Sequence, residues 1–172
     1  MLMISSAQEQ VIFDFRDEAS VHPWSVINDG VMGGLSTSSM RWKEGGLAVF
    51  SGTVSLENNG GFASARANLP GGDLQGFTGI ALRVKGDGKT YKARIRTDTN
   101  FDGVTFSKDF FAPAGEWTVI RLPFTEFRPT FRGRVLTGIG PLHGGDVRQV
   151  GFLVGDKQAG AFVLEVGWMK AF

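Results

Sequence analysis

The run Gly79-Ile-Ala-Leu-Arg-Val-Lys85-Gly86-Asp87-Gly88-Lys89-Thr90-Tyr-Lys-Ala-Arg-Ile-Arg96 decides the fold. Ile80, Leu82 and Val84 alternate with other residues before a glycine-rich break, and Tyr91, Ala93 and Ile95 do so after it. Successive side chains of a strand project to opposite faces, so each half reads as a strand with one apolar face. The Gly86-Asp87-Gly88 break reads as a hairpin. It would pair the two strands and set Arg83, Lys85, Lys92, Arg94 and Arg96 on one side, as a solvated sheet face or as a binding face for an anionic partner.

The same alternation recurs in both directions. It marks residues 11–15, 40–43, 47–55, 62–69, 104–111, 117–122, 147–155 and 161–169, with Phe162, Leu164, Val166 and Trp168 expected on one buried face. Gly45-Gly46, Asn58-Asn59-Gly60-Gly61 and Asp102-Gly103 punctuate these runs, the last read as a second hairpin. Residues 125–146, with Arg128, Arg132 and Arg134 among repeated Gly and Pro, read as a long ordered loop. Helices are excluded by glycine: there are 25, where ordinary usage would give about 12. After Pro23 the longest stretch free of Gly and Pro is Lys89 to Asp102, and it alternates like a strand. The expected architecture is an all-β, antiparallel jelly-roll β-sandwich forming one domain over residues 1–172.

Composition narrows the chemistry. With no cysteine, thiolate metal sites, iron–sulfur clusters, disulfides and cysteine nucleophiles are excluded. A formal net charge of +1 gives no general reason to bind nucleic acid. Gly88-Lys89-Thr90 resembles the end of a phosphate-binding loop, but Arg83 stands where its first Gly is required and a strand follows. Pro141 and Gly144-Gly145 break a loose dinucleotide pattern over residues 138–144, and Gly-x-Ser-x-Gly is absent. His22 and His143 lie in predicted loops, and Asp29 with either is the weak candidate for a hydrolase or lyase pair. No cofactor is implied. Asp98, Asn100, Asp102 and Asp109 imitate part of a calcium loop, but the flanks are strands and the terminal Glu is missing, so a hairpin loop is the favoured reading and no metal site is assigned. There is no apolar run of 18 residues and no basic start, from which a soluble, cytoplasmic chain without a transmembrane segment is expected.

Residues 24–36 carry Trp24, Asn28, Asp29 and Met32 with other apolar side chains and three glycines. A loop of this composition is either a plug closing one end of the sandwich or an exposed recognition surface, and the plug is favoured.

Six segments in order carry a resemblance: residues 24–36; 52–64; 91–97; Phe101-Asp-Gly103; 122–127 with Phe131-Arg-Gly-Arg134; and 156–166, which opens Asp156-Lys157-Gln-Ala-Gly160. Together they resemble the complex I intermediate-associated protein 30 family across essentially the whole chain, as a stand-alone, bacterial-type member. The resemblance implies a galactose-binding-like sandwich and a non-enzymatic, chaperone-like assembly factor whose partners are subunits or assembly intermediates of the respiratory NADH dehydrogenase, complex I. No catalytic residue is implied. Trp24, Asn28, Asp29, Met32, Arg94, Arg96, Arg132, Arg134, Asp156 and Lys157 are the candidate binding residues within these segments. The alternative is a carbohydrate-binding module, for which Trp24, Trp42 or Trp117 would have to be an exposed sugar platform.

Overall fold

The computed structural model describes residues 8–100 and 102–172, the side chains of Val31, Met32 and Asn59 excepted. Two antiparallel sheets face each other. One is formed by β3 (Thr37–Lys43), β4 (Leu47–Val54), β13 (Gly160–Ala171), β6 (Gly79–Lys85) and β9 (Trp117–Pro123) in that order, with β1 (Gln10–Phe13) on the end of β13 beside β4. The other runs β11 (Arg134–Val135), β10 (Arg128–Phe131), β8 (Thr105–Phe111), β7 (Thr90–Arg96), β12 (Gln149–Val154), β5 (Ala63–Asn68), β2 (Ser25–Asn28). Most connections pass from one sheet to the other, giving a jelly-roll sandwich.

Between the sheets lies a chain of aromatic contacts. Phe50 meets Phe162 at 4.9 Å between ring centroids, Phe162 meets Tyr91 edge-on, Tyr91 stacks on Phe110, and Phe110 meets Phe152 edge-on. Phe152 stacks on Trp24 at 5.7 Å, and Trp24 touches Phe13. The phenylalanine-rich composition is thus spent on filling the sandwich, where large flat side chains bury much area for little rotamer entropy.

Ile80, Leu82, Val84, Tyr91, Ala93 and Ile95 are all buried, as alternation requires. The pairing of their strands differs from expectation. β6 and β7 lie in opposite sheets, so Gly86–Gly88 is a crossover and not a hairpin. Asp87 pins it: its carboxylate accepts hydrogen bonds from the Tyr91 hydroxyl (3.0 Å) and from the amides of Lys89 (3.2 Å) and Val163 (2.9 Å), tying the loop to β13. Arg83 and Lys85 therefore face away from one side of the sandwich, and Lys92, Arg94 and Arg96 from the other. β7 and β8 do form the expected hairpin.

Trp168 also departs from its expected face. The β13–β6 register slips between Val166 and Trp168, a bulge at Gly167, where an added Cβ would lie 3.0 Å from Arg83 Nη1. The extra residue reverses the alternation. Met169 and Ala171 turn inward, while Trp168 turns out beneath Lys170, whose Nζ is 4.3 Å from the ring centre.

The expected long loop over residues 125–146 is more ordered than its sequence suggests. It holds the hairpin β10–β11, turning at Arg132 and Gly133 with φ of 50° and 78°, and a 3-10 turn at Gly144–Asp146. β2 was likewise unforeseen, because Ser25–Asn28 has no clear alternation and occupies a sheet edge.

Candidate functional site

The outer face of the seven-stranded sheet gathers the basic residues. Cross-strand register places Ser25, Arg66, Gly151, Arg94, Ser107 and Arg128 in one transverse row over β2, β5, β12, β7, β8 and β10. The next row carries Asn68, Gln149, Arg96, Thr105 and Thr130. The inward residues of β5 are Ala63, Ala65 and Ala67, whose small side chains leave room for the aromatic core behind this face.

Arg94 is partly buried, and among the described residues it makes no hydrogen bond or ion pair. Burial, with the charges of Arg96 and Arg66 beside it, brings its guanidinium down to about 10. It is still a cation at neutral pH. Arg66 is lowered for the same reasons, burial first and then Arg96. Arg96 is 6% exposed and lies 3.5 Å from Asp98 Oδ1. Acids around the rim are engaged by other cations: Asp102 by Arg132 at 2.7 Å, and Asp109 and Asp156 by Lys92 at 2.7 and 3.2 Å. Asp98, Asp102 and Asp109 thus pair with three different cations, and among the described residues no three His, Asp or Glu side chains converge as a metal site would require. Asp98 Oδ1 also accepts the Asn100 amide at 3.0 Å, the side-chain to backbone bond expected of a hairpin loop.

Of the candidate residues, Arg94 and Arg96 lie in the middle of this face. Arg132 and exposed Arg134 sit at its Arg96 end, on the β10–β11 hairpin. Asp156, held by Lys92, and exposed Lys157 lie at the other end, at the turn into β13, both with φ in the left-handed region. Arg128, read from the sequence as part of the basic loop, joins the face, and Arg66 and Gly151, absent from that reading, complete it. The alternation of Ala63-Ser-Ala-Arg-Ala67 carried the signal for Arg66.

The remaining candidates lie elsewhere. Trp24 is 8% exposed and stacked in the core, so it cannot form a surface contact. Asp29 is fully buried. Its Oδ1 accepts the Ser36 amide at 2.9 Å, and its Oδ2 accepts the Gly61 amide at 2.7 Å, the Phe62 amide at 3.3 Å and the Ser36 hydroxyl. Burial alone would raise the carboxyl, but these four donors together hold it below the ordinary value. A Cβ on Gly34 would stand 2.4 Å from Asp29 Cγ, and one on Gly60 2.5 Å from Oδ2, so glycine at both positions makes room for the carboxylate. Asn28 is partly buried and accepts a hydrogen bond from the Ser38 hydroxyl at 2.6 Å. The 24–36 segment is therefore latched to the 60–62 turn, as the plug reading requires; the side chain of Met32 lies outside the described residues. With both oxygens occupied and no exposure, Asp29 cannot act with His22 or His143, which are exposed.

Trp24 is buried, and Trp42, Trp117 and Trp168 are partly buried. Trp42 donates its Nε1 to the Phe15 carbonyl at 3.0 Å, and the Arg83 guanidinium covers the Trp117 ring at 4.2 Å. Among the described residues no helix is long and apolar enough to cross a membrane.

Solved structures of the same architecture are carbohydrate-binding modules. A family 11 module of a cellulosomal cellulase of Clostridium thermocellum superposes with a TM-score of 0.71 at 19% identity, covering 98% of this chain and 96% of that one. A family 29 module superposes at 0.57 with 11% identity, over 95% and 90%. At such identities the likeness is one of fold. Sequence relatives are named complex I intermediate-associated protein 30, mitochondrial: that of Mus musculus is 29% identical over 96% of this chain, and that of Drosophila melanogaster 24% over 98%. The chain spans 56% and 64% of the length of these two relatives. The family model for complex I intermediate-associated protein 30 matches residues 13–166, and the chain belongs to that family.

Proposed function

We propose that this chain is a non-enzymatic binding protein that holds subunits or assembly intermediates of respiratory complex I through the outer face of its seven-stranded sheet. The observation that carries this reading is the row Arg66–Gly151–Arg94 with Arg96 beside it: like charges crowded on rigid strands, Arg96 facing Asp98, while Asp102 and Asp109 are held by Arg132 and Lys92. Partly buried like charges repel one another and lose hydration. Names of the relatives supply the partner class, since they are called after complex I intermediates. An acidic surface on the partner would relieve the repulsion and gain charge-assisted hydrogen bonds.

The test is affinity capture of the tagged chain from detergent extract, with captured proteins identified by mass spectrometry. Complex I subunits should be enriched over a tag-only control. They should be lost from the double variant Arg94→Glu, Arg96→Glu. Undiminished recovery of the same subunits by that variant removes this face from the interaction, and failure to enrich any complex I subunit removes the partner class. A sugar is the competing ligand. It would quench or shift tryptophan fluorescence in a titration with soluble oligosaccharides, which the covered state of Trp117 and the buried state of Trp24 argue against.

A further inference from the structure

At one end of the sandwich two turns meet: residues 73–77, which lead into β6 of one sheet, and residues 143–146, which lead into β12 of the other. Both are held in place. Leu74, Leu142 and Val147 are buried, and buried Gly144 lies so close to the first turn that an added Cβ would be 2.2 Å from the Leu74 carbonyl oxygen. The Asp73 carboxylate accepts the Gln75 amide at 3.1 Å, the Leu74 carbonyl accepts the Phe77 amide at 3.1 Å, and the His143 carbonyl accepts the Asp146 amide at 3.0 Å. Arg148 braces the second turn, its Nη1 donating to the carbonyls of Gly145 and Val147 at 2.9 Å. Beside the tight contact at Gly144 lies an open groove of about 540 Å³, lined by Gln75, Gly76, Phe77, His143, Gly145 and Asp146. That volume falls within the roughly 300–1,000 Å³ of small-ligand sites. A second hollow of about 270 Å³ shares the Gln75–Phe77 wall and reaches Thr78 and Phe172, and an added Cβ on Gly76 would meet nothing within 4 Å.

The polar groups of this groove are unspent. Among the described residues the side chains of Gln75, His143 and Asp146 make no hydrogen bond and no ion pair, whereas Asp29, Asp87, Asp102, Asp109 and Asp156 are all engaged. The three offer a carboxylate that accepts, an imidazole, and a carboxamide that both donates and accepts, beside the half-buried ring of Phe77. No lysine or arginine lines the groove, so an anion finds no cation there, and one ring is too little for a wholly apolar ligand. Such a set matches a neutral molecule whose hydroxyls each donate and accept, and whose C–H face can lie on an aromatic ring.

We propose that the groove between the 73–77 and 143–146 turns is a binding site for a polyhydroxylated ligand, a sugar ring or short oligosaccharide, with its hydroxyls on Asp146, His143 and Gln75 and its C–H face against Phe77. The inference goes beyond the partner-binding reading and does not rest on it, since the groove lies at the end of the sandwich and the Arg94 row crosses the outer face of a sheet. None of the lining residues is a tryptophan, so amide shifts, and not tryptophan fluorescence, report on its occupancy.

The experiment follows the amide chemical shifts of the purified chain during titration with glucose, galactose, mannose and cellobiose. Tetramethylammonium chloride and sodium acetate serve as cationic and anionic controls at matched ionic strength. At least one sugar should give saturable shifts at the Gln75, Phe77, Gly145 and Asp146 amides, and the controls should not. At ten times its dissociation constant that sugar should raise the unfolding midpoint by about 3–5 °C. Asp146→Ala should weaken its binding at least fivefold. His143→Ala should do likewise, and both variants should keep the circular dichroism of the parent, because both side chains are exposed. The site is overturned by no saturable shift with any of the four sugars, by equal shifts with either control, or by sugar binding undiminished in both variants. Success or failure of complex I capture bears on none of these outcomes.

Discussion

Replacing Asp29 by Asn tests the latch that closes the 24–36 segment onto the 60–62 turn. The amide is nearly isosteric, but it offers one acceptor where the carboxylate offers two. If its oxygen takes the place of Oδ2, the bonds from Gly61, Phe62 and Ser36 Oγ survive, and the NH2 group then faces the Ser36 amide, donor against donor. The opposite rotamer sets the NH2 group against two amides instead. The cheaper choice leaves a buried N–H unsatisfied, about 1–3 kcal/mol, and strips charge assistance from the bonds that remain, while relieving part of the desolvation of a buried charge. The expected net loss is about 3 kcal/mol, or roughly 6–12 °C in unfolding midpoint for a chain of this length. Urea denaturation at pH 7, followed by circular dichroism with a common m-value, measures it. The pH dependence checks the cause. The folded carboxyl lies below its unfolded value of about 3.9, so its contribution is complete above that pH and is lost as pH falls through the folded value. The gap between parent and variant should narrow as pH falls below about 4. A loss under about 1 kcal/mol at pH 7, or a gap that stays constant on acidification, refutes the latch.

Gly60→Ala should cost about 2 kcal/mol or more in the same denaturation assay, although φ at Gly60 is −72° and suits any residue, because the new Cβ meets Asp29 Oδ2 and the Ser55 carbonyl. Glu165, 9% exposed, bridges Lys85 at 2.9 Å and Lys43 at 3.0 Å. Burial would raise its carboxyl, but the two lysines hold it below the ordinary value, so its share of stability is present above about pH 4.3 and fades on acidification. Glu165→Gln should lower the midpoint at pH 7 by a few degrees and flatten the acid limb of a midpoint-against-pH curve. Tyr91→Phe removes a donor to Asp87 while leaving the ring packed, and should cost about 1 kcal/mol by urea titration with the fold unchanged by circular dichroism.

Strand identity was legible because it is local. Ile80-Ala-Leu-Arg-Val84 and Tyr91-Lys-Ala-Arg-Ile95 declare their buried faces by period two alone, and glycine density excludes helices. The jelly-roll class followed from the number of short strands and from the family resemblance. Strands without a periodic signal escaped: β2 at a sheet edge, and β10–β11, where Pro129 and Gly133 mimic a loop. The Gly167 bulge also escaped, since a single glycine in an apolar run does not say whether it inserts or merely fills.

The candidate site shows the same division more sharply. The sequence alone determined that Arg94 and Arg96 share a strand face, because that depends only on the pleat. Only the tertiary structure decided their neighbours. A glycine turn such as Gly86–Gly88 can return the chain beside its previous strand or carry it across the core, and the choice rests on contacts made by Asp87 with β13, far away in sequence. Crossing the core separated Arg83 and Lys85 from Arg94 and brought Arg66, Gly151 and Arg128 to it instead. Likewise Asp29 and Trp24 stood among the candidate binding residues in a segment that reads as a plug or a recognition surface, and burial turns both inward as latch and core. Alternation fixes which way a side chain points, but the company it keeps is set by long-range strand order, which no local pattern encodes.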